Sequence, residues 1–301
     1  MLAKGEEHFK DQFISLKEKF LAKASNLRNV PVIGCVYKFV QLLLFLIGLV
    51  LVAIKWVALM IRGSDRSMFK TKMSGEQKLW WSKPFDIADV KLVGKVFHNA
   101  TVNDIVLNSI AGAMMRYTER RSLKEKYRNV TLSIPVNIRT SDTELEDLSN
   151  KFGFMLVPLQ LGIRNPELRL RATKKVMDSC KCRPEPFCTY NMARLCNILP
   201  PFMVSFIFNF LSRYVTAIFT NVLGSDTCLS TNSIPIREIL VFTPMPPSVG
   251  LGIATCSYNG NLTLTLCSDT LAISSPNEFM TDFENDLNQI ISMAKSCTLT
   301  Q

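Results

Sequence analysis

The sequence predicts a mixed α/β domain, with helices and strands in layers, preceded by a membrane helix. From residue 78 onward, segments with apolar residues at helical spacing alternate with short apolar segments typical of strands. Before that point, residues 31–62 form an apolar run with basic residues at both ends. The 301 residues, 48% of them hydrophobic, are enough for one large or two ordinary domains and a sizeable core.

The amino-terminal region is predicted to contact membrane. Residues 1–30 place apolar residues at helical spacing among charges, which indicates an amphipathic basic helix. Between Lys38 and Lys55 lie 16 uncharged residues. If Lys55 reaches the headgroups, the run continues through Ile61 and becomes 23 residues long, enough to span a bilayer. An in-plane, re-entrant or buried helix remains an alternative, and basic residues at both ends leave the orientation open.

The net charge of +10 is uneven along the chain. Residues 1–91 hold 15 Lys and Arg against 8 Asp and Glu. Such a basic flank beside an apolar run suits anionic lipid headgroups or an anionic ligand such as coenzyme A. No nucleic-acid-binding motif accompanies the charge, so nucleic acid is not an expected partner. Residues 63–77 are polar and basic and are predicted to be a linker.

Residues 78–301 are predicted to form the α/β domain. LWWSKPFDIADVKLVGKVF indicates a strand, a turn at Pro84 and a helix opened by Asp86, and Thr101 is a good N-cap for the next helix. Asn259-Gly260 is a strong hairpin signal. PPFMVSFIFNFLSRYV contains only about 10–12 apolar residues, which is typical of a core or tunnel-lining helix. Further strands are predicted over NVTLSIPVNIR, FGFMLVPLQL, 214–220, 236–243, 250–258 and 261–268, and further helices over 166–182, 186–198 and 277–294.

Cysteine and histidine usage argues against a metal site. The nine cysteines are irregularly spaced, and the close pair Cys180 and Cys182 has no histidine nearby in sequence. We therefore expect reduced cysteines in a cytosol-facing body and no bound metal. The chain has only two histidines, His8 and His98, and none of the common catalytic motifs. His98 is interpreted as a polar loop residue, with a catalytic base as the lesser alternative.

Two short polar motifs stand at element ends. Asn103 and Asp104 follow Thr101 at a predicted helix start, where Asp104 can stabilise the helix dipole and return a hydrogen bond to the cap. Alternatively, the pair reaches outward to hold a neighbouring loop or ligand. Asn221, Gly224 and Ser225 follow an apolar strand, which indicates a tight turn where the backbone comes close to another group.

Taken in order, these segments resemble the carboxyl-terminal half of the wax ester synthase/diacylglycerol acyltransferase family. TVNDIVLNSIAGAMMRY resembles the "ND" helix of that family, with Asn103 and Asp104 on the motif, and TNVLGS resembles its T/S-N-V-x-G-P turn. IPVNIR, SNKFGFMLVPLQL and GLGIATCSYNGNLTLTLCSD resemble its other strands. Asn137, Arg139, Asn150 and Gly153 lie at strand ends within these segments and are further candidates for the site.

The resemblance implies half of a coenzyme A-dependent acyltransferase fold, of the chloramphenicol acetyltransferase type. It also implies transfer of an acyl group from acyl-CoA, as co-substrate, to a fatty alcohol or diacylglycerol, with no permanently bound cofactor. In the family a histidine of an HHxxxDG motif acts as the base. No His-His pair occurs in Met1–Gln301, and Ser225 stands where the family usually has proline. In this reading Asp104 organises the junction with the family's other half.

Three hypotheses follow from this departure. The chain is a fragment, or an incomplete gene model, of an acyltransferase; or it is a short lipid-binding or regulatory protein that pairs with a full-length relative; or His98 acts as a relocated base. In each case we expect membrane lipids as partners. The expected location is the endoplasmic reticulum or plasma membrane, with the domain in the cytosol.

Overall fold

A computed structural model describes residues 67–121, 129–139, 151–181 and 183–299, apart from 71, 184 and 247. It also describes ten separate positions between residues 39 and 61. The chain divides into two compact units, Met1–Lys55 and Trp56–Gln301. The strands and their core lie in the second unit.

In the first unit, the described positions are helical and their side chains are exposed, as at Phe39, Leu43 and Val50. The predicted helix over 1–30 and most of the predicted membrane helix over 31–62 lie outside the described residues. Within the described part of the chain, no helix is both long enough and apolar enough to cross a bilayer. The membrane helix therefore stays a prediction.

The second unit alternates helices and strands as the sequence indicates. The strands are β1 (Gln77–Trp81), β2 (Phe85–Asp86), β3 (Val130–Asn137), β4 (Phe152–Leu159), β5 (Ala217–Leu223), β6 (Ser230–Thr231), β7 (Ile234–Pro235), β8 (Leu251–Tyr258) and β9 (Asn261–Asp269). The helices are α1 (Ile87–Val96), α2 (Val102–Arg121), α3 (Pro166–Lys181), α4 (Glu185–Cys196), α5 (Pro201–Ser212) and α6 (Pro276–Leu299).

Seven strands form one mixed sheet in the order β1-β9-β8-β5-β3-β4, with β2 also paired to β9. The central strand β5 runs parallel to both β3 and β8, and the remaining pairs are antiparallel. At the β8–β9 turn, Asn259 and Gly260 both have positive φ, +48° and +77°. This is the backbone a two-residue hairpin turn requires, and it confirms the predicted hairpin.

The two faces of the sheet are covered differently. One face packs against α1, α2, α3 and α6 in a large apolar core that includes Phe219 of β5 and Phe279 and Phe283 of α6. The other face carries a small cluster around Leu156 and Val215, with Ile218 packed against it. Successive residues of β5 point to opposite faces, so Phe219 faces the main core while Ile218 faces the small cluster.

The predicted strand over 236–243 is wrong, because the structure has no strand there. Strand β8 is already paired on both sides, with β5 and β9, and β9 is paired with β1, β2 and β8. No sheet edge is left for this segment at that position. It lies against side chains instead, where the Thr265 hydroxyl donates to the carbonyl of Val241.

Part of the segment predicted to be a linker packs into the body. Phe69 is fully buried in the main core. The Lys70 ammonium group donates to the carbonyls of Ser212 (2.6 Å), Val215 (2.5 Å) and Ser248. These carbonyls lie at the end of α5, just before β5 and just before β8, so Lys70 holds the carboxyl end of α5 to the sheet.

Candidate functional site

The amino terminus of α2 is organised by its own sequence. The backbone N–H and the hydroxyl of Thr101 donate to Asp104 Oδ2 at 2.9 and 2.8 Å, and the amide of Asp104 points back to the Thr101 hydroxyl at 3.4 Å. This reciprocal arrangement satisfies donors that a helix start otherwise leaves unpaired. The Asp104 carboxylate is fully buried, and Lys181 Nζ lies 3.7 Å from its Oδ1. The local role predicted for Asp104 is therefore present.

Asn103 turns outward from the same helix start and meets the second polar motif. Asn221 Nδ2 donates to Asn103 Oδ1 at 2.6 Å, and the Thr255 hydroxyl donates to Asn221 Oδ1 at 2.9 Å. The three residues come from α2, β5 and β8 and form a chain of hydrogen bonds, which we call the asparagine chain. Asn221 lies near the carboxyl end of β5, and parallel strands commonly bind ligands at that end.

The turn after β5 needs its glycine for space. A Cβ on Gly224 would lie 2.5 Å from the carbonyl oxygen of Ser257, to which the Gly224 amide donates at 2.8 Å. The close backbone approach predicted for this turn is thus present. Ser225 continues the contact, because its carbonyl accepts from the Asn259 amide at 2.9 Å. The proline expected at this position in the family could keep that bond, since the acceptor is a carbonyl.

The other candidate residues stand apart from the asparagine chain. His98 lies in the α1–α2 turn with φ +59°, and its Nε2 is 3.9 Å from Glu167 Oε1. Asn137 ends β3, where its side chain accepts from the Arg139 amide at 3.0 Å and closes a local turn. At Gly153 a Cβ would overlap the carbonyl of Pro186, so this glycine serves the packing of α4. Asn150 lies outside the described residues.

A buried ionic group that no sequence pattern predicted lies beneath α2. Arg169 of α3 and Asp286 of α6 are both fully buried, and Arg169 Nη2 donates to Asp286 Oδ1 and Oδ2 at 2.6 and 2.7 Å. Arg169 Nε also donates to Asn108 Oδ1 of α2 at 3.0 Å. Burial raises the pKa of Asp286 and lowers the pKa of Arg169, while their mutual attraction opposes both shifts.

The one sequence signal for this group is Gly112, in the middle of α2. A Cβ on Gly112 would collide with Asp286 Oδ2 and would lie 2.8 Å from Arg169 Nη2. Glycine is unfavourable inside a helix, so a mid-helix glycine suggests that another group comes close. The glycine does not show that the group is the carboxylate of Asp286, which lies more than 170 residues further along the chain.

An apolar cavity of about 160 Å³ lies between the second face of the sheet and helices α4 and α5. Its wall includes Ala193 and Cys196 of α4, Ile207 and Leu211 of α5, and Ile218 of β5. The tunnel-lining role predicted for the PPFMVSFIFNFLSRYV segment fits these contacts of α5. The alternative of a core helix is wrong, because only Ser212 of α5 is buried. A cavity with an almost wholly apolar wall suits a hydrocarbon chain.

The cysteine and acidic side chains are dispersed over the fold. Among the described residues, no three His, Cys, Asp or Glu side chains cluster closely enough to hold a metal ion. The seven described cysteines are thiols rather than disulfides. Burial raises the pKa of the Cys188, Cys256 and Cys267 thiols, which disfavours the reactive thiolate.

Comparison with known proteins points to one family. Residues 148–291 match the family model described as the WS/DGAT C-terminal domain. Wax ester synthase/diacylglycerol acyltransferase 8 of Arabidopsis thaliana is 25% identical over 244 residues, which cover 70% of this chain and 49% of that protein. Wax ester synthase/diacylglycerol acyltransferase 5 of the same plant is 25% identical over 260 residues, covering 75% and 49%.

A solved structure shows the same fold. Wax ester synthase/diacylglycerol acyltransferase from Marinobacter aquaeolei VT8 superposes with a TM-score of 0.57 at 16% identity, over 82% of this chain and 57% of that one. The predicted resemblance to this family is confirmed, as is the mixed α/β fold. The chain spans about half the length of the curated relatives it matches.

Proposed function

From the match to the carboxyl-terminal domain of wax ester synthases/diacylglycerol acyltransferases, we propose that this chain supplies that half of an O-acyltransferase. The acyl donor is an acyl-CoA, and the acceptor is a fatty alcohol or diacylglycerol. The hydroxyl oxygen attacks the thioester carbonyl carbon, the carbon–sulfur bond breaks, and the hydroxyl proton passes through a base to the departing thiolate. In the family the base belongs to an HHxxxDG motif, and Met1–Gln301 contains no such motif.

The asparagine chain is the observation that carries the proposal. Two segments that resemble separate family motifs, 118 residues apart, meet through a single 2.6 Å hydrogen bond. The bond joins the start of α2 to the carboxyl end of β5, where the amides can orient a substrate carbonyl or the facing half of the enzyme. In this proposal Asn103 and Asn221 are positioning residues, and Asp104 keeps the helix start in place beneath them.

The test begins with the endogenous polypeptide, whose mass and amino terminus are determined by peptide mapping. That protein is then incubated with labelled acyl-CoA and either hexadecanol or diacylglycerol, and wax ester and triacylglycerol are quantified. We expect one of the two esters, with turnover about tenfold to hundredfold lower in Asn221→Ala because misplacement of reacting groups is costly. The exposed Asn288→Ala on α6 is the matched control. Formation of neither ester would contradict the proposal.

The apolar cavity favours a second candidate function, which is binding of acyl chains without transfer. Ala193→Phe places a ring in the cavity and should weaken binding of a fluorescent acyl-CoA at least tenfold. Ala88→Phe puts the same ring on the exposed surface of α1 and should leave binding unchanged. If Ala193→Phe weakens binding and the protein forms no ester, the result favours this second function. If Ala193→Phe and Ala88→Phe bind equally well, the cavity is excluded as the binding site.

A further inference from the structure

The hairpin formed by α4 and α5, residues 185–212, exposes an unusual number of large apolar side chains. Phe202 and Phe206 of α5 are 73% and 72% exposed, and Ile198 between the helices is 82% exposed. Phe187, Leu195, Met203 and Phe208 are exposed as well. Single exposed apolar residues are ordinary, but a concentration of this kind marks a surface that contacts another apolar phase.

Helix α5 is apolar on more than one side. Ile207 and Leu211 face the cavity, while Phe202 and Phe206, one turn apart, share the exposed side. No charged residue occurs between Arg194 and Arg213. A helix that is apolar all round normally lies in a protein core or in lipid, and the core covers only one side of this one.

The hairpin has one acidic residue, Glu185, which is buried, and the exposed charges within the hairpin and directly after it are positive. No Asp or Glu occurs between Glu185 and Asp226, and the two charged residues in that interval are Arg194 and Arg213. Both arginines are exposed; Arg194 lies in the last turn of α4 and Arg213 directly follows α5. Arginine side chains are long enough to reach lipid phosphates while neighbouring phenylalanine side chains enter the acyl region. Helices that lie in a membrane interface combine basic and aromatic residues in this way.

We propose that the hairpin docks this chain on an anionic phospholipid surface. Phe202 and Phe206 enter the acyl region, and Arg194 and Arg213 contact lipid phosphates. A 12-residue helix is about 18 Å long, too short to span a bilayer, so α5 lies in the plane of the surface. Lys70 holds the carboxyl end of α5 to the body, so the docked hairpin carries the sheet with it. The inference is independent of the acyltransferase proposal.

The test must report on α5 itself, because residues 31–62 are also apolar. Phe206→Trp in the full chain adds one indole to the three present at Trp56, Trp80 and Trp81. Vesicles of phosphatidylcholine and phosphatidylserine with brominated acyl chains should quench this added fluorescence. Leu168→Trp, at a 56% exposed position of α3, is the matched control and should gain no quenched signal.

The arginines are tested with the same signal. Arg194→Gln and Arg213→Gln in the Phe206→Trp background should each weaken binding to phosphatidylserine vesicles about fivefold, and binding to pure phosphatidylcholine should not change. Arg→Lys at either position should restore binding, which separates the role of charge from the role of local packing. Equal binding of all variants to both vesicle types would overturn the anionic-lipid assignment.

Two results would reject docking through the hairpin. If the chain sediments with vesicles while the fluorescence added by Phe206→Trp is unquenched, another segment holds it to the membrane. If the added tryptophan emits as a buried residue without lipid, the surface is covered by protein. Dependence of that emission on protein concentration would then identify a second copy, and independence would identify a segment of this chain.

Discussion

At the scale of single residues, Asn221 is the side chain that links the two other members of the asparagine chain. Its side chain accepts from Thr255 and donates to Asn103, so both ends of the amide are used. Thr255 is 1% exposed and relies on this acceptor. Truncation at Asn221 therefore leaves a buried hydroxyl with a lost partner, whereas truncation at Asn103 affects a more accessible bond.

We expect Asn221→Ala to lower the free energy of unfolding by about 1–3 kcal/mol and Asn103→Ala by about 1 kcal/mol. Because the two residues share one hydrogen bond, the double variant should lose about 0.5–1 kcal/mol less than the sum. Urea denaturation of the unmodified protein, the two single variants and the double variant gives the double-mutant cycle. Asn288→Ala is the control for loss of an exposed asparagine. Strict additivity would show that the 2.6 Å contact does not couple the two motifs.

Asp269 is the residue through which stability should respond to acid. Burial alone would raise its pKa, but backbone amides of Ser74, Gly75 and Leu271 donate to its oxygens at 2.9–3.1 Å and together hold the pKa below its ordinary value. A depressed pKa means that the stabilisation is present above the unfolded-state value of 3.8 and is lost as the pH falls below it.

The expected result is a steep loss of stability in the full chain below about pH 4, with a smaller loss in Asp269→Asn. The asparagine variant should also be about 1–2 kcal/mol less stable at pH 7, since its amide accepts fewer bonds. Urea midpoints between about pH 2.5 and pH 7 measure both effects. An identical slope in the two proteins would assign the acid response to other carboxylates.

At the scale of elements, the close packing of α2, α3 and α6 requires a residue without a side chain at Gly112. Gly112 lets α2 approach α6 closely enough for Asp286 to lie against the helix backbone, with Arg169 of α3 closing the group. A buried ion pair contributes little by itself, but its separation leaves an uncompensated charge in the core. The packing of α2, α3 and α6 is therefore sensitive to any change that displaces Asp286.

Gly112→Ala should destabilise the protein by about 2–3 kcal/mol, because the added methyl group displaces the Asp286 carboxylate. Asp286→Ala should lose about 3–5 kcal/mol, since Arg169 would then be buried without its partner. Ser109→Ala is the control on the same helix. The Ser109 hydroxyl is buried and has no hydrogen-bond partner among the described residues, so its loss should be neutral or slightly stabilising. Thermal unfolding compares the three, and a neutral Gly112→Ala would show that the helices can move apart.

At the scale of the whole molecule, the reactivity of the cysteines can show how far the folded body opens. Cys228 and Cys297 are exposed, whereas Cys180, Cys188, Cys256 and Cys267 are buried on different elements. Their distribution over α3, α4, β8 and β9 covers both faces of the sheet. Access to these four thiols therefore requires opening of the body rather than movement of one loop.

Alkylation of the folded protein, followed by peptide mapping, should label Cys228 and Cys297 first among the seven described cysteines. The four buried thiols should react at least about a hundredfold more slowly, because reaction requires opening and burial keeps them protonated. All six should react at similar rates in urea. Rapid labelling of Cys188 alone would show that α4 opens independently of the sheet.

The sequence by itself determined the features that depend on neighbours a few residues away. Two helix caps and one turn are made by groups within four residues of each other. They are the cap at Asp86, the cap at Thr101 with Asp104, and the Asn259-Gly260 turn. Their hydrogen bonds form with little help from the rest of the chain. The family resemblance arose from the same local segments taken in order.

Only the tertiary structure decided what depends on distant residues. The bond between Asn103 and Asn221 joins residues 118 positions apart, and the pair of Arg169 and Asp286 joins residues 117 apart. Residues 236–243 have the composition of a strand but no free sheet edge, and α5 has the composition of a core helix but one uncovered side. Composition sets what a segment can become, whereas the edges and faces left open by the other elements decide where it lies.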